Sequence, residues 1–95
     1  MVVEVAVFTT KEGHAEQFAA AYEQARELLS GSPCCRSVRM TRGIENPGRF
    51  VLLVEWDCLE SHLEGFRGSE RFTRWRELIG PHFESADVQH VVDLG

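Results

Sequence analysis

Arg49-Phe50-Val51-Leu52-Leu53-Val54-Glu55-Trp56 is the stretch on which the fold turns. Phe50, Leu52, Val54 and Trp56 alternate with Val51, Leu53 and Glu55, which is the period of a β-strand. A strand that is apolar on nearly both faces sits centrally, with cover on each side. Asn46-Pro47-Gly48 just before it is a strong turn signal. Upstream of the turn, Arg36–Arg42 places Val38 and Met40 on one face and predicts a weaker strand.

Further towards the N-terminus, Val3, Val5 and Val7 recur at period two, with Glu4 and Ala6 between them. They predict a strand over about residues 2–9. Phe18, Tyr22, Ala25, Leu28 and Leu29 recur at spacings of three and four, opposite Glu16, Glu23, Gln24 and Glu27. That is an amphipathic helix over about 14–30, stopped by Ser30-Gly31-Ser32-Pro33. Beyond Trp56, Asp57 with Glu60 three residues on reads as an N-cap with a capping-box partner. It predicts a short helix over about 58–66, ending at Arg67-Gly68. Ser69 caps a second piece, about 70–79, with Phe72, Trp75, Leu78 and Ile79 on one side, and Gly80-Pro81 stops it. Val88–Leu94 reads as the last strand.

The order is β-α-β-β-α-β. Two crossovers around a central hairpin give an α+β, ferredoxin-like sandwich: one domain over 1–95, an antiparallel sheet, two helices on one face. The other face carries apolar residues too, since Val51 and Leu53 belong to one face of the central strand and Phe50, Leu52 and Val54 to the other, and no helix remains to cover it. A second copy of the chain is the expected cover, so the chain is expected to be a homodimer through its open sheet face, a dimeric α+β barrel.

Composition excludes several functions. Fifteen acidic against ten basic residues give a net charge of −5, whereas proteins that grip nucleic-acid phosphates carry a basic surplus. No apolar run approaches the roughly 20 residues of a membrane span. Met1 leads straight into Val2-Val3-Glu4, and no signal peptide is visible. The three cysteines, Cys34, Cys35 and Cys58, are odd in number and lack CxxC spacing. Reduced thiols in a cytoplasmic protein are the expectation. Neither a glycine-rich phosphate loop nor a G-x-S-x-G elbow occurs. His62, His82 and His90 are too far apart for a metal pair on one helical turn, so no metal is expected.

What remains is aromatic and imidazole density in the C-terminal half. Trp56 ends its strand, His62 and Phe66 lie at i and i+4, and Phe72 and Trp75 lie at i and i+3. These residues suit two roles: ordinary core, or the walls of a cleft for a small planar aromatic molecule. His82 reads as a loop residue on the cleft rim or as no part of it. His90 reads as structural or exposed, His14 as a residue without a partner, and Arg39 and Arg42 as solvated or ion-paired.

The string Val54-Glu55-Trp56-Asp57, Ser61-His62-Leu63, Gly65-Phe66-Arg67-Gly68-Ser69, Phe72 and Trp75-Arg76 resembles the antibiotic biosynthesis monooxygenase (ABM) domain family. The tail, Gly80-Pro81-His82-Phe83 to Val88-Gln89-His90, is also similar to members of that family. The resemblance implies a ferredoxin-like protomer that pairs sheet to sheet. It also implies a small monooxygenase that oxidises aromatic or polyphenolic substrates with O2 and needs no cofactor. His62 would then be the catalytic base, its ordinary pKa near neutrality suiting it to proton abstraction. Trp56, Phe66, Phe72, Trp75 and His82 would contact substrate. Haem binding or degradation, with His62 or His82 as axial ligand, and a non-enzymatic ligand-binding or stress-response module are the alternatives the same resemblance leaves. Characterised members place asparagines in the pocket, and Asn46, the one Asn here, lies in the turn before the third strand.

Overall fold

The computed structural model describes residues 1–95. Its elements are strand β1 (Val2–Thr10), helix α1 (Ala15–Ser30), strand β2 (Cys35–Arg42), strand β3 (Arg49–Trp56), a π-helical turn (Ser61–Phe66), helix α2 (Glu70–Ile79), a 3-10 turn (Gly80–His82) and strand β4 (Phe83–Val91). The four strands form one antiparallel sheet in the order β2-β3-β1-β4. This is the α+β ferredoxin-like fold that the alternating patterns predict. No helix is long and apolar enough to cross a membrane.

The core lies between the sheet and the helices. β3 contributes Phe50, Leu52, Val54 and Trp56, all buried, and α1 contributes Phe18, Tyr22, Ala25 and Leu29. From β1 the buried set is Glu4, Ala6, Phe8 and Thr10. The β-branched set Val3, Val5 and Val7 points instead to the open face, where it is half-buried beside Val51 and Leu53. A carboxylate is therefore in the core, while the valines of the same strand are outside it.

Three local expectations change. The last strand starts at Phe83, not Val88, and ends at Val91. In its polar opening Ser85, Ala86 and Asp87 pair with Thr9, Phe8 and Val7 of β1, and Phe83 pairs with Thr10 across a register shift that leaves Glu84 without a partner. On an edge strand the backbone ladder decides, and exposed polar side chains are tolerated. It ends there because Val91 already faces Val3, leaving residues 92–94 almost no partner strand. Asp57 does not cap the following turn; its carboxylate pairs with Arg36 of β2, and its N–H donates to the Cys34 carbonyl at 3.0 Å. Ser69 stands at the N-cap of α2, but its hydroxyl donates back to the Phe66 carbonyl at 2.6 Å.

The segment between β3 and α2 winds as a π-helix, not as an α-helix. The Arg67 N–H reaches the His62 carbonyl at 3.0 Å, the i to i+5 bond of that form. Gly68 closes the turn: a Cβ there would stand 2.5 Å from the Glu64 carbonyl oxygen. The wide turn aims both His62 and Phe66 at the sheet, where each is 2% exposed.

Candidate functional site

The sheet register assembles the site. Val2 lies opposite Trp56 and Glu4 opposite Val54 across β1 and β3, and Glu4 lies opposite His90 across β1 and β4. Glu4 and Trp56 thus rise from neighbouring strands on the helix side, and the π-helical turn lowers His62 onto them. The indole N–H of Trp56 donates to Oε1 of Glu4 at 3.0 Å. Nε2 of His62 stands 3.3 Å from the same oxygen. Nδ1 of His62 meets Nε2 of His90 at 2.7 Å. The imidazole of His62 stacks on the Trp56 ring, centroids 5.2 Å apart and planes 16° from parallel.

Burial sets the charge states here. Glu4 is 5% exposed, and desolvation raises its carboxyl above the usual range, opposed by the Trp56 N–H and the charge of Arg67. Desolvation lowers the His62 pKa from 6.5 to about 4, with help from the charges of Arg67 and His90. His90 is lowered as well, by burial first and Arg67 second. At neutral pH the His62 ring is therefore uncharged. The sequence-based reason for casting it as a base, a pKa near neutrality, does not hold in this environment.

A cavity of about 540 Å³ opens beside this cluster, within the range of small-molecule sites. Phe66, Phe72, Trp75, Ile79 and Phe83 are among its apolar walls, and Glu4, His62, Arg67, Arg76 and Ser85 among its polar ones. Phe66 sits at the junction, tilted against Trp56 at 5.8 Å and edge-on to Phe72 at 5.6 Å.

Of the six residues singled out from sequence, four line this cavity: His62, Phe66, Phe72 and Trp75. Trp56 stands behind His62, fully buried, and acts on the site through its N–H and its stacked face. His82 does not line the cavity. It lies on the 3-10 turn with Nδ1 3.2 Å from Nδ1 of His14, so those two imidazoles pair with each other. Sequence reasoning missed Glu4 and undervalued His90. A lone acid among valines reads as solvent-facing, and only the pairing of β1 with β4 puts the two together.

Cofactor ligation fits these residues poorly. Both ring nitrogens of His62 are engaged by Glu4 and His90, leaving none for an iron, and His82 is outside the cavity. No group of three or more His, Cys, Asp or Glu residues is placed to hold a metal ion.

The fold and site define a class: small ferredoxin-like α+β proteins with an aromatic-walled pocket between sheet and helices. The sequence profile of the family described as antibiotic biosynthesis monooxygenase matches residues 1–78. The chain is 38% identical, over 99% of its length and 100% of the relative's, to YczJ of Bacillus subtilis (strain 168), which is named an uncharacterized protein. It superposes with a TM-score of 0.93 on a crystal structure from Bordetella bronchiseptica, at 34% identity over 98% of this chain and 96% of that one. That protein's name assigns it provisionally to the antibiotic biosynthesis monooxygenases. A similarly named Nitrosomonas europaea protein shares the fold at a TM-score of 0.86 and 18% identity, with both chains fully covered. This protein belongs to the antibiotic biosynthesis monooxygenase (ABM) family.

Proposed function

We propose that the chain is a cofactor-independent monooxygenase acting on a small electron-rich aromatic substrate, a phenol or polyphenol. The observation that carries this reading is the aromatic-walled cavity with a buried acid and imidazole, Glu4 and His62, 3.3 Å apart at its edge. A phenol held there stacks against Phe66, Phe72 and Trp75. Loss of its proton to the site makes it an electron donor strong enough to reduce O2 by one electron. Recombination at the ring then inserts one oxygen atom and releases the other as water, so that a phenol with a free para position plus O2 yields a quinone plus water. All four electrons that reduce O2 come from the substrate, which is why the protein need only position, deprotonate and keep the substrate dry.

Family membership supports the reaction class. The substrate rests on the cavity's size and walls. The test is oxygen uptake with 1,5-dihydroxynaphthalene and anthrone, with quinone formation followed by absorbance. Uptake that disappears in His62→Ala supports the proposal. Binding without uptake would make the protein a ligand-binding module instead.

The open sheet face is proposed to be the dimer interface. Val3, Val5, Val7, Val51 and Leu53 form its centre, half-buried in the single chain, with Arg39, Glu55, Asp87 and Gln89 around them by register. A self-complementary pairing of two such faces buries the valines that the helices leave uncovered.

A further inference from the structure

Helix α2 presents one stripe to the cavity. Phe72, Trp75, Arg76 and Ile79 recur at spacings of three and four, and all of them line it. Three are apolar and the fourth is an arginine. An arginine that serves only solubility belongs on the other side of such a helix, where Arg74 lies exposed and apart from the cavity. Strand β4 supplies Ala86 and Val88 to the same cavity. Their register with Phe8 and Ala6 puts them on the helix side of the sheet, and their small side chains leave room above the strand.

A second guanidinium, Arg67, joins the lining. It stands at the end held by Glu4 and His62, since its charge acts on Glu4, His62 and His90. Neither arginine is used inside the protein. The ion pairs of the chain join Arg36 to Asp57, Arg42 to Glu16 and His62 to Glu4. Its arginine side-chain hydrogen bonds come from Arg36, Arg42 and Arg71. Arg71, earlier on the same helix, reaches the carbonyls of Glu27 and Leu28 in α1 and so ties the two helices together. Arg76 instead has its guanidinium carbon 5.9 Å from the centre of the Phe72 ring, a cation–π contact. That contact holds the guanidinium at the cavity wall and leaves its N–H donors free.

Two carboxyl groups also line the cavity, Glu4 and Glu84. Glu4 is buried and already accepts from the Trp56 N–H. Glu84 is exposed on the edge strand, where water and salt screen it. Neither is ion-paired to Arg67 or Arg76.

We infer that the cavity takes an anionic aromatic molecule, a phenol that also carries a carboxylate, with Arg76 as the carboxylate-binding residue. The inference rests on the phenol-oxidising reading of this cavity and narrows its substrate class. The ring system lies between the α2 stripe and β4, with its hydroxyl towards Glu4 and His62. The carboxylate meets the planar fork of Arg76, whose parallel N–H donors match its two oxygens. Arg67, at the hydroxyl end, favours phenolate over phenol through its charge. The net charge of −5 works against anions at long range, so the preference is local and belongs to these two side chains.

The test compares 5-hydroxy-1-naphthoate with 1-naphthol, which differ by the carboxylate alone. Binding to the whole protein is measured by titration calorimetry under nitrogen, so that no oxidation intervenes. The wild type is expected to bind the hydroxynaphthoate roughly tenfold tighter than 1-naphthol. Arg76→Gln should bring the two affinities to within about twofold by weakening the acid, with 1-naphthol binding unchanged; that second ligand also reports that the cavity is intact. Arg76→Lys should retain part of the preference, because it keeps the charge and loses the fork. Arg74→Gln makes the same change of charge on the outer side of α2 and should alter neither affinity. Equal affinities in the wild type overturn the inference, as does a preference that survives Arg76→Gln or one that Arg74→Gln removes equally. Admitting O2 separates the two readings. A hydroxynaphthoate held through Arg76 but never oxidised keeps this inference and removes the monooxygenase. Oxidation of 1-naphthol with no preference for the acid, in binding or in kcat/KM, keeps the monooxygenase and removes this inference.

Discussion

Acid should destabilise this protein largely through one buried ring. His62 is 2% exposed, and its environment lowers its pKa from 6.5 to about 4. The unfolded chain protonates this ring near its ordinary value, and the folded chain resists. The stability it contributes is therefore fully present above about pH 6.5 and is lost as pH falls towards about 4. At about 1.36 kcal/mol per unit the displacement amounts to roughly 3 kcal/mol, a large part of the roughly 5–15 kcal/mol that holds a domain together. Glu4 acts in the opposite direction. Its raised pKa means that the folded state takes up a proton more readily than the unfolded one, so its protonation adds stability as pH falls. The variant that isolates the ring is His62→Phe, which keeps an aromatic face against Trp56 and removes the titration. Urea unfolding followed by tryptophan fluorescence, at about pH 7.5 and about pH 4.5, gives the stability of each protein. The wild type is expected to lose about 2–3 kcal/mol more than His62→Phe between those conditions. Equal losses in the two proteins would refute the assignment of the acid sensitivity to His62.

The remaining predictions concern other parts of the molecule. Trp56→Phe removes the N–H that Glu4 accepts at 3.0 Å; the Glu4 carboxyl should titrate still higher by 13C NMR, and stability should fall by about 1.5–3 kcal/mol at neutral pH. Phe66→Ala empties the junction between Trp56, His62, Phe72 and Trp75, and calorimetry should show a loss of about 3–5 kcal/mol. Leu53→Asp places a charge at the centre of the open face, and light scattering should show a shift from dimer to monomer with the far-UV spectrum unchanged. Gly68→Ala forces a Cβ against the Glu64 carbonyl, and chemical unfolding should show a cost of about 1–3 kcal/mol.

Much of the architecture was legible in the sequence because it is written in periodicity. The alternation in Arg49–Trp56 and the three-and-four spacing in α1 each follow from which residues leave water, and the structure places both elements within a residue or two of where the pattern predicts them. The Gly80-Pro81 stop and the Asn46-Pro47-Gly48 turn mark breaks by backbone chemistry alone. Even the clustering of His62, Phe66, Phe72 and Trp75 could be read, since short-range helical spacing fixes shared faces.

Tertiary structure decided the rest. The opening of β4 carries Glu84, Ser85 and Asp87 and has no strand pattern; it is a strand because β1 offers it a ladder. The turn after β3 has α-helical capping residues, yet Asp57 goes to Arg36 and the turn widens to the π form, which swings His62 inward. Glu4 shows the limit most plainly. One strand's alternation says that Glu4 and the valines face opposite ways, but not which way is the core. That choice depends on where the helices pack and on the uncovered face where the valines lie. The register that then sets Glu4 beside Trp56, His62 and His90 is a property of three strands and a turn together, and it determines which proton each of them can hold.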